Sequence, residues 1–264
     1  MSKYQIIIST ILYLSVFHLS AQKGVEIGGH IGLAHYFGDL NPDFAVTDPG
    51  LALGLKFRRN FNERVSVSGG VDFARVSGTD ADSNNQFERD RNLSFRSNVV
   101  DFNASIEFNF FPYLHGSDDQ YYTPYIFTGF SVLSFNPRAD FQDQTFNLRE
   151  LQTEGIDYGL ATASWFYGVG VKWDYNRDWS FNVALSGRNT ISDFIDDVST
   201  NYPTTPPNSA AGVALSNPSP VEGFGVPGTQ RGNSEGNDKV FFLTIGIMRY
   251  FGQIQCPKIT KGHY

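Results

Sequence analysis

The chain has 264 residues and a formal net charge of −7, with 26 glycines, 24 phenylalanines and 13 tyrosines. We predict a single domain, because no Pro- or Ser-rich linker divides the chain into compact halves. The mean hydropathy is −0.26. After the N-terminus, no apolar run approaches the ~20 residues that a membrane-spanning helix needs, which excludes a helical membrane protein. A soluble all-β protein or a transmembrane β-barrel remains, because polar interior residues and loops dilute the apolar residues of a barrel.

The N-terminus has the pattern of a signal peptide. Lys3 supplies a positive start, residues 6–14 are apolar, and residues 19–21 (LSA) precede a cut that leaves Gln22 first. Loss of Lys3 changes the formal charge from −7 to −8, so the exported chain has no electrostatic reason to bind nucleic acid. We expect a signal peptide at residues 1–21, an outer-membrane barrel at residues 22–252 and a periplasmic tail at residues 253–264.

Eight segments alternate apolar residues with small or polar ones at period two, which predicts β-strands. In chain order they are residues 25–37, 51–58, 65–74, 100–110, 125–135, 165–175, 179–188 and 239–251. The alternation in residues 125–135 does not indicate which face points inward. The last segment is rich in aromatic and β-branched residues, and a long unpaired apolar edge there would invite aggregation. We therefore predict that it pairs with the first strand and closes a barrel.

The connections alternate in length: the first, third, fifth and seventh are long, the second and sixth are tight, and the fourth is intermediate. This alternation predicts an all-β, eight-stranded antiparallel transmembrane barrel with long external loops, short periplasmic turns and both termini in the periplasm. A soluble lipocalin-like barrel is the alternative, but its interior must be apolar. Here the second face carries charges that we expect to pair and plug the lumen: Lys56, Arg58, Asp72, Asp101, Glu107, Lys172, Asp174 and Arg188.

Motifs for enzymatic chemistry are few. Residues 80–84 (DADSN) have the spacing that begins a calcium loop, but Asn85 and Arg91 stand where glycine and a carboxylate are required, which favours a solvated acidic loop. A Ser/His pair such as Ser66 with His30 has only residue type in its favour. We expect no enzymatic activity, no catalytic or metal-binding residues, no cofactor and no small-molecule substrate.

Cys256 is the one cysteine of the chain, so it has no partner for an intramolecular disulfide. It precedes Pro257 in the tail, which we expect in the oxidising periplasm. A single cysteine in that compartment favours an intermolecular disulfide or a docking tail for a periplasmic or lipid-anchored protein. An unreacted thiol is the equally open alternative.

Several stretches resemble the PorG family of type IX secretion proteins, along most of the mature chain. They are residues 36–40 (YFGDL), 124–129 (PYIFTG), 135–139 (FNPRA), 153–155 (TEG) and 231–233 (RGN). The most specific stretch, residues 192–202 (SDFIDDVSTNY), is similar to that family's acidic Asp-Asp-Val-Ser-Thr segment. Its family-motif residues are Asp193, Asp196, Asp197, Ser199, Thr200 and Tyr202. The resemblance implies an outer-membrane barrel that works with a periplasmic ring, made of a lipoprotein and its partner, in a secretion machine also tied to gliding motility.

The predicted topology places residues 153–155 and 193–202 on the outer side, whereas the implied ring is periplasmic. These segments either fold over the barrel mouth or contact another part of the machine, and Asp196, Asp197 and Ser199 can also simply cap a turn. Residues 203–236 are rich in Pro, Ser, Asn and Gly and, apart from residues 231–233, match nothing in the family.

Two functions follow from the sequence. The first is a secretion component that holds the periplasmic ring to the outer membrane through its inner turns and its Cys256 tail. The second is a stand-alone OmpA-like surface barrel, an adhesin or structural protein that acts through its external loops. The chain continues well past Phe251, which favours the first.

Overall fold

Eight long strands form a closed antiparallel barrel in the computed structural model, which describes residues 24–41 and 49–252. The predicted signal peptide and the tail residues Cys256 and Pro257 lie outside the described residues. The strands are β1 (Gly24–Phe37), β2 (Gly50–Asn60), β3 (Val65–Thr79), β4 (Ser94–Asn109), β5 (Tyr122–Ser134), β6 (Pro137–Phe141), β7 (Gln144–Asn147), β8 (Ala161–Asp174), β9 (Trp179–Thr190) and β10 (Lys239–Gly252). Strands β6 and β7 form a hairpin outside the barrel wall.

The last strand closes the barrel against the first. β10 pairs with β1 along its whole length, from Gly252 opposite Gly24 to Lys239 opposite Phe37. Around the whole wall the strand order is β1, β2, β3, β4, β5, β8, β9 and β10, and each strand is hydrogen-bonded to the next. The predicted closure and the predicted strand number are therefore confirmed, and none of the eight described wall strands is left with an unpaired apolar edge.

The outer face of the wall is apolar. Phe130, Leu51 and Ile31 expose 79%, 78% and 72% of their surface, and the outward positions of the other strands are also mostly apolar. A soluble barrel would place these residues inside, so the lipocalin-like alternative is wrong. An apolar outside around a polar inside is the arrangement of a barrel whose wall meets lipid.

The lumen is filled by two clusters of charged side chains. In the first, Glu107 accepts hydrogen bonds from Arg58 at 2.7 Å and lies 2.7 Å from the Lys56 ammonium, and Arg58 also pairs with Glu26 at 2.7 Å. In the second, Arg188 binds Asp72 at 2.5 Å and Asp101 at 3.0 Å. Charged groups removed from water require such pairing. The expected plug of paired charges is present.

The connection between β4 and β5 closes the turn end of the barrel. The sequence predicts only a modest link at residues 112–122, but Tyr113 and His115 are buried. The two ring nitrogens of His115 lie 2.9 Å from Asp174 and 3.2 Å from Glu26. Alternation does not reveal this plug, because its residues lie between strands rather than on them.

The loops at the opposite end contain regular structure that the sequence does not predict. Residues 136–161, expected as a long connection, contain the β6–β7 hairpin and the short helix α2 (Leu148–Leu151), and residues 203–236 contain α3 (Ala210–Ser216). The first helix, α1 (Gln86–Arg91), follows a 3-10 turn at Asp80–Asp82. Helices this short lack a periodic signal and depend on caps: the Ser209 hydroxyl accepts a hydrogen bond from the Gly212 N–H at 2.9 Å. No described helix has the length and apolar character needed to cross a bilayer.

Candidate functional site

Three long loops fold together over one mouth of the barrel, and we refer to residues 80–93, 135–160 and 191–238 as the cap. Its centre is a polar network that is almost fully buried. The network includes the following residues: Asp80, Arg91, Thr153, Glu154, Asp196, Asp197, Arg231 and Asp238. Buried polar side chains need partners, so the contacts of this network determine how the cap is held.

Arg231 joins three separate loop segments. Its guanidinium donates to the Glu154 carboxylate at 2.9 Å, to the Asp197 carbonyl at 2.7 Å and to the Ser216 carbonyl at 3.1 Å. The backbone N–H of Arg231 donates to the Thr200 carbonyl at 2.8 Å. A single buried cation thus holds residues far apart in sequence in one arrangement.

Glu154 binds the backbone of the family-motif segment, residues 192–202, which we refer to as the acidic loop. Its two carboxylate oxygens accept hydrogen bonds from the N–H groups of Ser199 and Thr200 at 3.0 and 2.9 Å, and from the Thr200 hydroxyl at 2.7 Å. The backbone of Gly232 passes close to the backbone of Ser199: a Cβ at position 232 would lie 2.6 Å from the Ser199 nitrogen. Only glycine allows so close an approach of two backbones.

Asp197 points into the cap rather than towards solvent. Its carboxylate accepts hydrogen bonds from the Thr153 hydroxyl and, at 2.6 Å, from the Tyr158 hydroxyl. The residue has a φ of 70°, a left-handed backbone that aspartate tolerates better than most residues. Asp197 therefore serves as a tertiary contact, not as a cap of its own turn.

Asp80 and Arg91 form an ion pair inside the cap. Arg91 donates to both carboxylate oxygens of Asp80 at 2.7 and 2.8 Å, and also to the carbonyls of Arg231 and Asp39. The expected solvated acidic loop is therefore wrong for Asp80. The arginine that breaks the calcium pattern is its partner, and such a bidentate pair satisfies a buried carboxylate without a metal ion.

Two carboxyl groups share one tyrosine hydroxyl. The Tyr36 oxygen lies 2.5 Å from Asp196 and 2.8 Å from Asp238, and all three side chains are buried. A phenol carries one proton and can donate to only one carboxylate. The second contact therefore requires a proton on one of the two carboxyl groups, which then donates to the Tyr36 oxygen.

All six family-motif residues lie in the cap. Asp196 accepts from the Val198 N–H at 2.9 Å, so the turn interpretation describes part of its role, and Ser199 and Tyr202 are buried. The structure brings this loop together with residues 153–155 and 231–233. The sequence places Asp80 and Arg91 in a solvated acidic loop, and it gives no signal for Asp238 beyond a charged residue at the end of a long connection.

Ser66 and His30 are not brought together. The Ser66 hydroxyl donates to Asn60 at 2.6 Å, whereas His30 Nε2 lies 2.6 Å from Asp72. Ser66 and Asp72 stand six residues apart on β3, which is ~20 Å along a strand. The Ser/His pair considered from residue types is therefore wrong.

A comparison with known families matches residues 4–211 to the family described as "Domain of unknown function (DUF6089)". The chain belongs to this family. The match includes the loop from Asp193 to Tyr202 and ends before Arg231. A search of curated proteins finds no match.

Solved structures similar to this DUF6089 chain are outer-membrane barrels. OprG from Pseudomonas aeruginosa is 11% identical with a TM-score of 0.45, over 89% of this chain and 99% of that chain. Ail, the attachment invasion locus protein of Yersinia pestis, is 10% identical with a TM-score of 0.44, over 87% and 99%. Neisserial surface protein A is 10% identical with a TM-score of 0.44, over 86% and 97%.

Burial shifts several acids in and beside the cap towards their protonated forms. It raises the pKa of Asp193 to about 7, with the charges of Asp39 and Glu154 adding to the effect. It raises the pKa of Asp197 to about 6, although Arg231 opposes the shift, and the pKa of Asp39 to about 6. Burial and the charge of Asp238 also hold the pKa of Asp196 well above its usual range.

We expect the cap to loosen as the pH rises from 5 to 8. An acid whose pKa is raised by folding contributes stability at low pH that is lost as pH rises through the folded value, here about 6 to 7. Hydrogen exchange of residues 191–202, corrected for the intrinsic rate, should show more frequent opening at pH 8. Asp193→Asn should reduce this dependence, whereas Asp143→Asn, at an exposed turn of the cap, should not. Equal opening at both pH values would contradict the prediction.

Proposed function

We propose that the chain is a non-enzymatic outer-membrane component of the type IX secretion machinery, which holds a periplasmic ring of a lipoprotein and its partner to the membrane. The resemblance to the PorG family supplies the identity of the machine. The proposal places the short turns and both termini in the periplasm, and the capped mouth outside. A role in gliding motility follows from the same resemblance.

One observation supports the anchoring role most directly. Gly24 and Gly252 face each other at the turn end of the barrel, beside the tight turns at residues 61–64 and 175–178. Gly252, the last described residue before the tail, therefore lies at the proposed periplasmic end. A partner that binds this tail, by a disulfide through Cys256 or by docking around Pro257, needs no passage through the plugged lumen.

The burial of the family-motif residues also bears on the proposal. Asp196 contacts Tyr36 on β1, and Asp197 contacts Thr153 and Tyr158 of the cap. Ser199 is buried as well, so these side chains leave little surface for a partner. In this proposal the acidic loop maintains the cap, and the tail and inner turns carry the interaction. The motif residues are thus separated from Gly252, the last described residue before the tail, by the length of the barrel.

Removing residues 253–264 is expected to release the periplasmic lipoprotein and to block secretion while the barrel still inserts. The measurement is a pull-down from gently solubilised outer membranes with thiols blocked, run on non-reducing and then reducing gels. Cys256→Ser separates the two modes. Loss of the reducible band in this variant shows that the wild type forms a disulfide through Cys256. Copurification that persists in the variant shows that docking holds the partner without the disulfide. A faster-migrating unheated band shows that the barrel has folded.

A silent truncation would contradict the proposal and favour the stand-alone surface barrel. The matched test of that alternative is Val221→Asp with Val226→Asp, because both side chains are exposed on the cap, at 44% and 55%. Deletion of residues 203–236 is a poorer test, since it also removes Arg231 and opens the cap. Loss of function in the valine variant alone would assign the activity to the outer surface.

A further inference from the structure

Three arginines line a groove on the outside of the barrel, where the wall meets the β6 strand of the cap. The groove has a volume of about 460 Å³ and lies between the loop ends of β3 and β4 and the β6 strand, with Arg75, Arg96 and Arg138 in its walls. A second pocket of about 300 Å³ shares the same three arginines and adds Asn98 and Thr145. Neither pocket belongs to the buried cap network.

The strand register forces these positive charges together. Arg96 on β4 stands directly opposite Arg138 on β6, and Arg75 on β3 stands opposite Asn98, so that it is the diagonal neighbour of Arg96. Like charges directly opposite each other destabilise a sheet. Arg75 is exposed and Arg96 and Arg138 are half-buried. The fold does not require arginine at these positions, so their grouping points to an anion that offsets the repulsion.

One carboxylate lies in the groove, and it is already neutralised. Asp140 makes a bidentate pair with Arg96, with N···O distances of 2.5 and 2.6 Å, and accepts from the Thr145 hydroxyl at 2.7 Å. Among the ion pairs between described residues, Arg75 and Arg138 have no carboxylate partner. The groove therefore carries about two uncompensated positive charges on a chain whose formal charge is −7.

The level of the groove relative to the apolar wall indicates the kind of anion. Arg75 follows Phe73 by two residues on the same outward face of β3, and Phe73 stands opposite Val100 on β4. Phe73 and Phe102 expose 44% and 62% of their surface. Two strand residues span ~7 Å, so the arginines lie at headgroup depth immediately above a surface suited to acyl chains.

We propose that this groove binds the phosphate of a lipid headgroup in the leaflet that the long loops face. Arg75 and Arg138 donate to the phosphate oxygens, because guanidinium groups match phosphate geometry with paired hydrogen bonds. The acyl chains of the same lipid lie against Phe73 and Phe102. Arg96 holds Asp140 away from the bound anion.

Native mass spectrometry of the detergent-solubilised full chain tests the proposal with three probes: bisphosphorylated lipid A, the same lipid with its phosphates removed, and inorganic phosphate. The wild type should retain the phosphorylated lipid and lose the dephosphorylated one. Arg75→Gln and Arg138→Gln should each weaken retention roughly tenfold, the cost of one charge-assisted contact. The matched control is Arg59→Gln with Arg249→Gln, two exposed arginines at the turn end of the wall, which should retain the lipid.

Three results would overturn the inference. Equal retention of dephosphorylated lipid would show that the acyl chains alone bind. Saturation by inorganic phosphate, with no gain from the acyl chains, would replace the lipid by a free anion. An equal loss in the turn-end control would show a general charge effect. Migration of unheated samples on gels confirms that each variant is folded before it is compared.

Discussion

Replacing Arg231 with methionine is expected to open the cap and leave the barrel intact. The change leaves Glu154 buried without its cation and leaves the carbonyls of Asp197 and Ser216 without their donor. Removing one partner of a buried ion pair costs ~3–5 kcal/mol. Hydrogen exchange is the measurement, and the free energy of opening of residues 195–202 and 229–233 should fall by that amount.

The barrel strands provide the internal reference for this variant. Their exchange should remain slow, because the eight wall strands are paired around the closed barrel without help from the cap. Arg177→Met, at an exposed position in the tight turn between β8 and β9, is the matched control and should change neither region. Unchanged protection of the cap would show that Arg231 is not its principal tie, and loss of the barrel as well would show that cap and wall unfold together.

Glu107→Gln is expected to destabilise the barrel itself. Glu107 is fully buried and lies within 3.4 Å of three cations, Lys56, Arg58 and Lys172. The amide keeps the shape of the carboxylate but leaves the lysines without a counter-charge, although Arg58 retains Glu26. An uncompensated buried charge costs ~3–5 kcal/mol.

The measurement is the free energy of unfolding in detergent micelles from urea titration, followed by the fluorescence of the 3 tryptophans. Glu63→Gln, an exposed change in the turn between β2 and β3, should have an effect below ~0.5 kcal/mol. A Glu107→Gln variant as stable as the wild type would mean that the lumen charges are solvated. The lumen of this barrel would then not be closely packed with paired charges.

The alternation of residues was sufficient to predict the barrel because each strand has one neighbour on each side and two chemically different faces. Ile31, Leu51 and Leu243 point outward as the period of two requires. β5 is the exception: Tyr125 and Phe127 are buried while Ile126 and Phe130 are exposed, so aromatic residues occupy both faces. The inward pair contacts the lumen cations, with the Lys172 ammonium 5.0 Å from the Tyr125 ring, and period alone does not reveal that.

The sequence by itself determined the wall: eight strands, their order, their closure and the charged interior follow from local alternation and from the cost of an open edge. Only the tertiary structure decided the cap. Arg231 meets Glu154 across 77 positions and Arg91 meets the Arg231 carbonyl across 140, and no local pattern encodes pairings over such separations. The residue type of a charged side chain in a loop does not indicate whether it is buried or solvated. Its role depends on which distant partner the fold brings within hydrogen-bonding distance.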